Sequence, residues 1–67
     1  MTAVLVNGEP EEVGEGTTVA DLVARHRESP RGVAVARNEE VVPRSQWAAT
    51  VAADGDRFEI LTAAQGG

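Results

Sequence analysis

The chain has 67 residues, a formal net charge of −5 and no cysteine. That length makes one small domain with a marginal core, which rules out a large buried catalytic cleft. Absent cysteine excludes disulfides and thiolate metal sites, and the acidic balance argues against nucleic-acid binding, which needs clustered positive charge.

The first predicted strand is Thr2 to Asn7, rich in β-branched residues, with Val4 and Val6 on one face and Leu5 on the other. Asn7-Gly8 is a strong hairpin signal, and the return strand is expected over Glu11 to Glu15. Thr18 is a good N-cap with Asp21 three residues on, a capping box with Asp in place of Glu. Val19, Leu22, Val23 and His26 then repeat at helical spacing. Arg25, His26 and Arg27 suit the negative end of the helix dipole, and Ser29-Pro30-Arg31-Gly32 stops the helix. So short a helix must be held by packing on a sheet.

Val33 to Arg37 alternates Val and Ala and predicts a strand with Val inward. Asn38-Glu39-Glu40 is a turn, and Val41-Val42 is a short strand ended by Pro43. Ser45 to Ala49 fits one helical or 3₁₀ turn, with Trp47 as an aromatic anchor pinning it to the sheet edge. Asp54-Gly55-Asp56 is a tight turn. Arg57 to Thr62 is the last strand, with Phe58 and Ile60 on one face and Glu59 and Leu61 on the other.

This order, two strands, a helix, then three strands with a short helical turn before the last, is the β-grasp order of an α+β protein. The last strand would run parallel to the first in the middle of a mixed sheet, which requires the long connection the chain has. The predicted core is Val4, Val6, Val19, Leu22, Val23, Val33, Val35, Phe58 and Ile60. Residues 1–62 form the domain, and 63–67 form a flexible tail ending in Gly66-Gly67.

Catalytic apparatus is nearly absent. His26 stands alone on its helix and cannot assemble a His-rich metal site, so it reads as a helix-end residue. Ser29 and Ser45 have no base nearby in sequence. Gly14-Glu15-Gly16 lacks the following glycine of a phosphate loop. All six basic residues are Arg, so the chain offers no side-chain amine for Schiff-base chemistry or isopeptide attachment. No apolar run approaches a membrane span, and Met1-Thr2-Ala3 does not begin like a signal peptide; the expectation is a cytoplasmic protein without membrane contact.

What remains is the tail. Gly has no Cβ, so a terminal Gly-Gly carboxylate is an unhindered acyl group able to thread a narrow channel. Five residues beyond Thr62 reach at most about 17 Å when extended. A carboxylate becomes an acyl donor once adenylated, and a partner must supply the ATP site because this chain has no phosphate-binding machinery. The expected partner-docking surface is the outer sheet face, with Leu5 and Leu61 exposed side by side and Ala36 joining them.

The segment Val42-Pro43-Arg44-Ser45-Gln46-Trp47, followed by Asp54-Gly55-Asp56 and Gly66-Gly67, resembles the ThiS family of thiamin-biosynthesis sulfur carriers. The Asn7 turn and the Gly16-Thr17-Thr18-Val19 helix entry with Leu22 fit the same pattern. The resemblance implies a ubiquitin-like β-grasp fold and a carrier rather than an enzyme, with no bound cofactor. Gly67 would be adenylated by a ThiF-type enzyme at the expense of ATP, with Gly66 its flexible neighbour. A sulfur donor protein would convert it to a thiocarboxylate, and that group would give its sulfur to the thiazole synthase ThiG. Ala63, Ala64 and Gln65 are smaller and more polar than the usual apolar approach to Gly-Gly. Three other readings of the same fold stand beside this one: a sulfur carrier for another pathway, such as molybdopterin synthesis, a non-carrier protein-interaction module, and a ubiquitin-like protein tag.

Overall fold

Two consecutive residues with positive φ, Asn7 (52°) and Gly8 (84°), set the first hairpin. They carry the signature of a type I′ turn, whose twist matches the strands it joins. A computed structural model of the chain, which describes residues 1–29 and 31–62, shows the consequence. Strand β1 (Thr2–Val6) turns directly into β2 (Glu9–Val13), with Val6 opposite Glu9 and Thr2 opposite Val13. The return strand therefore begins and ends two residues earlier than the expected Glu11 to Glu15, because a two-residue turn leaves no loop between the strands. Val13 ends β2 opposite Thr2 and is buried in the core, where the sequence reading had not placed it. Pro10 is tolerated because β2 is an edge strand.

Helix α1 (Val19–His26) opens on a capping box. Asp21 N–H donates to Thr18 Oγ1 at 3.1 Å, and Thr18 N–H donates back to Asp21 Oδ2 at 3.0 Å. Two otherwise orphaned amides are satisfied this way. The apolar stripe of the helix, Val19, Leu22 and Val23, is buried against the sheet.

Strand β3 (Val33–Arg37) and β4 (Glu40–Val41) are joined by a second pair of positive-φ residues, Asn38 (51°) and Glu39 (75°). This turn is again two residues long, so β4 starts one residue earlier than the expected Val41-Val42. Val41 consequently points to solvent, and Val42 turns into the core while its N–H still donates to Val35 O at 2.9 Å. The 3₁₀ turn Arg44–Ala49 follows. Trp47 is buried there, and its indole Nε1–H donates to Val42 O at 2.9 Å. The indole thus closes the loop after Pro43 and fills the sheet edge, as its size suggested.

Strand β5 (Arg57–Thr62) completes a five-stranded mixed sheet in the order β2-β1-β5-β3-β4. It runs parallel to β1, with Leu5 opposite Arg57 and Val6 opposite Phe58, and antiparallel to β3 from Val33–Thr62 to Arg37–Phe58. With α1 on one face, this is the β-grasp architecture. Eight of the nine expected core residues are buried; Val33 is half-buried, because it sits at the margin where β3 begins beside the last residue of β5. Val13, Val42, Trp47 and Ala52 complete the core.

Leu22 is fully buried between helix and sheet. Leu22→Ala is expected to cost about 2–5 kcal/mol, much of the stability of a domain this small. A thermal melt followed by Trp47 emission checks it; a midpoint close to wild type would contradict the packing described.

Candidate functional site

The outer sheet face, opposite α1, is assembled from alternate residues of the central strands. Leu61 lies opposite Ala34, and Ala36 lies between Glu59 on β5 and Val41 on β4. Leu61 is 58% exposed and Val41 76% exposed. Together with exposed Ala34 and half-buried Ala36 they form an apolar strip across β5, β3 and β4.

Leu5 does not adjoin this strip. The parallel register puts it opposite Arg57, four residues before Leu61, or about 13 Å along the strand. Arg57 and Glu59 separate the two leucines, and Leu5 is half-buried rather than exposed. The expected side-by-side pair is therefore corrected: adjacency of two strands says nothing of register, and the β1–β5 register is set by long-range pairing. Leu5 instead lines a hollow of about 220 Å³ with Gly8, Glu39, Arg57, Phe58 and Glu59. Val41 is the outer-face residue missed from sequence. The Asn38-Glu39 turn was the available signal, since a two-residue turn there forces Val41 outward.

The expected carrier residues Gly66 and Gly67, and the whole tail 63–67, lie outside the described residues. Thr62 is the last described residue of the central strand β5 and lies opposite Val33.

His26 is not alone. Its Nε2 lies 2.9 Å from Glu11 Oε1, and Arg25 reaches Glu11 Oε2 at 3.3 Å. The shared carboxylate ties the end of α1 to β2, which suits a structural role. Among the described residues no group of three or more His, Cys, Asp or Glu is placed to hold a metal ion, and no helix is long and apolar enough to cross a membrane.

Asp56 is a buried carboxylate behind the β3–β4 turn. It accepts hydrogen bonds from Arg37 Nε at 2.8 Å, Asn38 Nδ2 at 3.1 Å and Ala53 N–H at 2.8 Å. Burial by itself pushes the carboxyl up. The bonds from Ala53, Asn38 and Arg37, with the Arg37 charge, outweigh it and hold the pKa below its ordinary value. Asn38 also accepts from Arg57 N–H through Oδ1 at 2.9 Å, so the turn carrying Glu39 is fastened to β5.

The family comparisons agree with this architecture. The model of the ThiS family matches residues 4–67. The sulfur carrier protein ThiS of Escherichia coli is 33% identical over 64 residues, 96% of this chain and 97% of that protein. A thiazole synthase of Paramagnetospirillum magneticum is 38% identical over 64 residues, but the chain spans only 20% of that protein's length. The crystal structure of ThiS from Geobacter metallireducens superposes with a TM-score of 0.82 at 35% identity, covering 98% of this chain and all of that one. The fold is that of the ubiquitin-like β-grasp proteins. Within that class, the chain belongs to the ThiS family.

Asp56→Asn is expected to cost about 1–3 kcal/mol near neutral pH, because it weakens the bonds from Arg37 and Ala53 inside the protein. A carboxyl whose folded pKa is lowered contributes stability that is complete above its ordinary value of 3.8 and fades as pH falls through the lower folded value. Urea melts from neutral to acid pH should show the variant losing less stability over that window than the wild type. An equal acid slope in both would show that Asp56 does not contribute this way.

Proposed function

We propose that this protein is a sulfur carrier of thiamin biosynthesis and that its reacting group is the carboxylate of Gly67. The observation that carries this reading is the family match through residue 67, which takes in Gly66-Gly67. The carboxylate attacks the α-phosphorus of ATP in a ThiF-type enzyme; pyrophosphate leaves and the acyl-adenylate remains. Sulfur at the sulfide level, handed over by a donor protein, attacks the acyl carbon. AMP leaves with the bonding electron pair, and a thiocarboxylate results. A ThiG-type thiazole synthase then takes the sulfur. The likeness of this chain to about a fifth of a thiazole synthase supports that partnership.

In this reading the chain is a co-substrate, and its domain supplies address and reach. The Gly-Gly end offers the least steric hindrance to entry into a closed active site. The apolar strip of Leu61, Ala36 and Val41, with Leu5 at a distance beyond Arg57 and Glu59, is the surface on which the partner enzymes rest. Exposed apolar area of this kind beside a functional chain end is a common docking feature, and the acidic net charge favours a partner with a basic rim.

Deleting Gly66 and Gly67 should abolish ATP–pyrophosphate exchange with the cognate ThiF-type enzyme while leaving the melting transition unchanged. Undiminished exchange would show that the C-terminus is not the reacting group. Intact-mass analysis of protein from its native cell should reveal a form in which sulfur replaces one oxygen. Leu61→Glu should leave the fold intact, since the side chain is already in solvent, and weaken binding to both enzymes. Unchanged affinity for both would remove the docking assignment and leave the carrier chemistry standing.

A further inference from the structure

The helix side of the molecule carries a groove that the carrier reading does not use. It runs between α1 and the 3₁₀ turn Arg44–Ala49 and has a volume of about 340 Å³. Ala20, Val23, Ala24 and Trp47 supply its apolar lining, and Arg27, Glu28 and Arg44 its charged lining. The Arg44 guanidinium carbon is 6.0 Å from the centroid of the Trp47 ring, within cation–π reach. Arg27 Nη1 donates to His26 O at 3.1 Å, while its Nε is shielded from solvent without a hydrogen-bond partner among the described residues.

The charge arrangement here differs from that around Arg25, Arg37 and Arg57. Arg25, Arg37 and Arg57 face Glu11, Asp56 and Glu39, whereas neither Arg27 nor Arg44 forms an ion pair among the described residues. The chain has 11 carboxylate side chains against 6 arginines, yet Glu28 is the one carboxylate that lines this groove. Two guanidiniums beside an aromatic, apolar lining match a ligand that pairs an apolar side chain with flanking negative charge. Arginine at such a site bonds a carboxylate in a fixed fork geometry.

We propose that this groove docks an acidic peptide segment of a partner protein, its apolar side chain against Trp47 and its carboxylates between Arg27 and Arg44. Local charge selects the occupant: Arg27 and Arg44 outnumber Glu28 in the groove, so a short acidic segment confined to it is favoured, whereas a nucleic acid or a second copy would bring its charge against the acidic remainder of a chain of net charge −5. Because α1 covers the inner face of the sheet, a peptide held here leaves the outer face with Leu61 and Val41 open. The carrier could then be held by one partner through the groove while another grips the sheet.

The test is an NMR titration of the isotopically labelled full chain with the peptide acetyl-Glu-Leu-Asp-Phe-Glu-amide, and in parallel with acetyl-Lys-Leu-Lys-Phe-Lys-amide. It reads binding alone and is independent of whether Gly67 is adenylated. The acidic peptide should shift the amides of Ala24 and Arg27 and the indole of Trp47. Arg44→Gln, at the exposed start of the 3₁₀ turn, should weaken it by about tenfold, as loss of one charge-assisted hydrogen bond would. The melt of the variant checks its fold, and Arg27→Gln serves as the second variant. Equal binding of the lysine peptide, no groove shifts at millimolar peptide, or shifts confined to the Leu5 and Leu61 face would overturn the proposal. Groove shifts caused by concentrating the protein without peptide, or by truncation after Thr62, would overturn it in favour of a second copy or of the chain's own end.

Discussion

Everything in this structure hangs on a short parallel pairing between the first strand and the last. Only Leu5–Arg57 and Val6–Phe58 pair as a ladder, and the partners are some fifty residues apart in the chain. Closing so long a connection costs entropy before any contact returns it. The structure extends the pairing with side chains. Asn7 Nδ2 donates to Ile60 O at 3.2 Å and Asn7 Oδ1 accepts from Ile60 N–H at 2.9 Å, so an amide group stands in for one more ladder rung. At the other end Asp54 Oδ1 accepts from Ala3 N–H at 2.7 Å. Asn7 thus serves twice, in the left-handed turn of the first hairpin and in the clamp on β5.

Because β5 is the central strand, its alternation divides the molecule. Phe58 and Ile60 face the core and are among its largest fully buried side chains, while Arg57, Glu59 and Leu61 face outward. β3 pairs with β5 from Phe58 to Thr62, whereas β1 pairs with it only at Arg57 and Phe58 and is extended to Ile60 by the Asn7 side chain. The edges are guarded differently: β2 carries Pro10 and three glutamates, and β4 is two residues long, both common defences against edge pairing.

Charge does structural work in only a few places. The Asp56 cluster is buried and multiply hydrogen-bonded, so it holds the β3–β4 turn, the approach to β5 and Arg37 in one arrangement. Arg57 and Glu39, at 3.6 Å and both exposed, contribute little by comparison. The strain of a non-glycine residue at φ 75° in Glu39 is held in place by the Asn38 bonds on either side. Arg27 and Arg44 stand outside these networks, which leaves the helix-side groove electrostatically distinct from the acidic remainder.

Local patterning alone determined the helix with its capping box, the strands Val33–Arg37 and Arg57–Thr62, the fold class and most of the core. Each rests on a period or a cap that neighbouring residues fully specify, and the Thr18–Asp21 pair and the inward Val35, Phe58 and Ile60 followed directly. The VPRSQW segment and Gly66-Gly67 made the family legible for the same reason, since they are contiguous in the chain. Register was decided by tertiary structure. The length of the two positive-φ turns moved β2 by two residues and β4 by one, and the one-residue shift sent Val42 inward and Val41 outward. The offset of the β1–β5 pairing parted Leu5 from Leu61, and the meeting of His26 with Glu11 depended on how α1 lies across the sheet. Side-chain alternation says which face a residue takes, but only contacts between distant segments say which residue stands beside it.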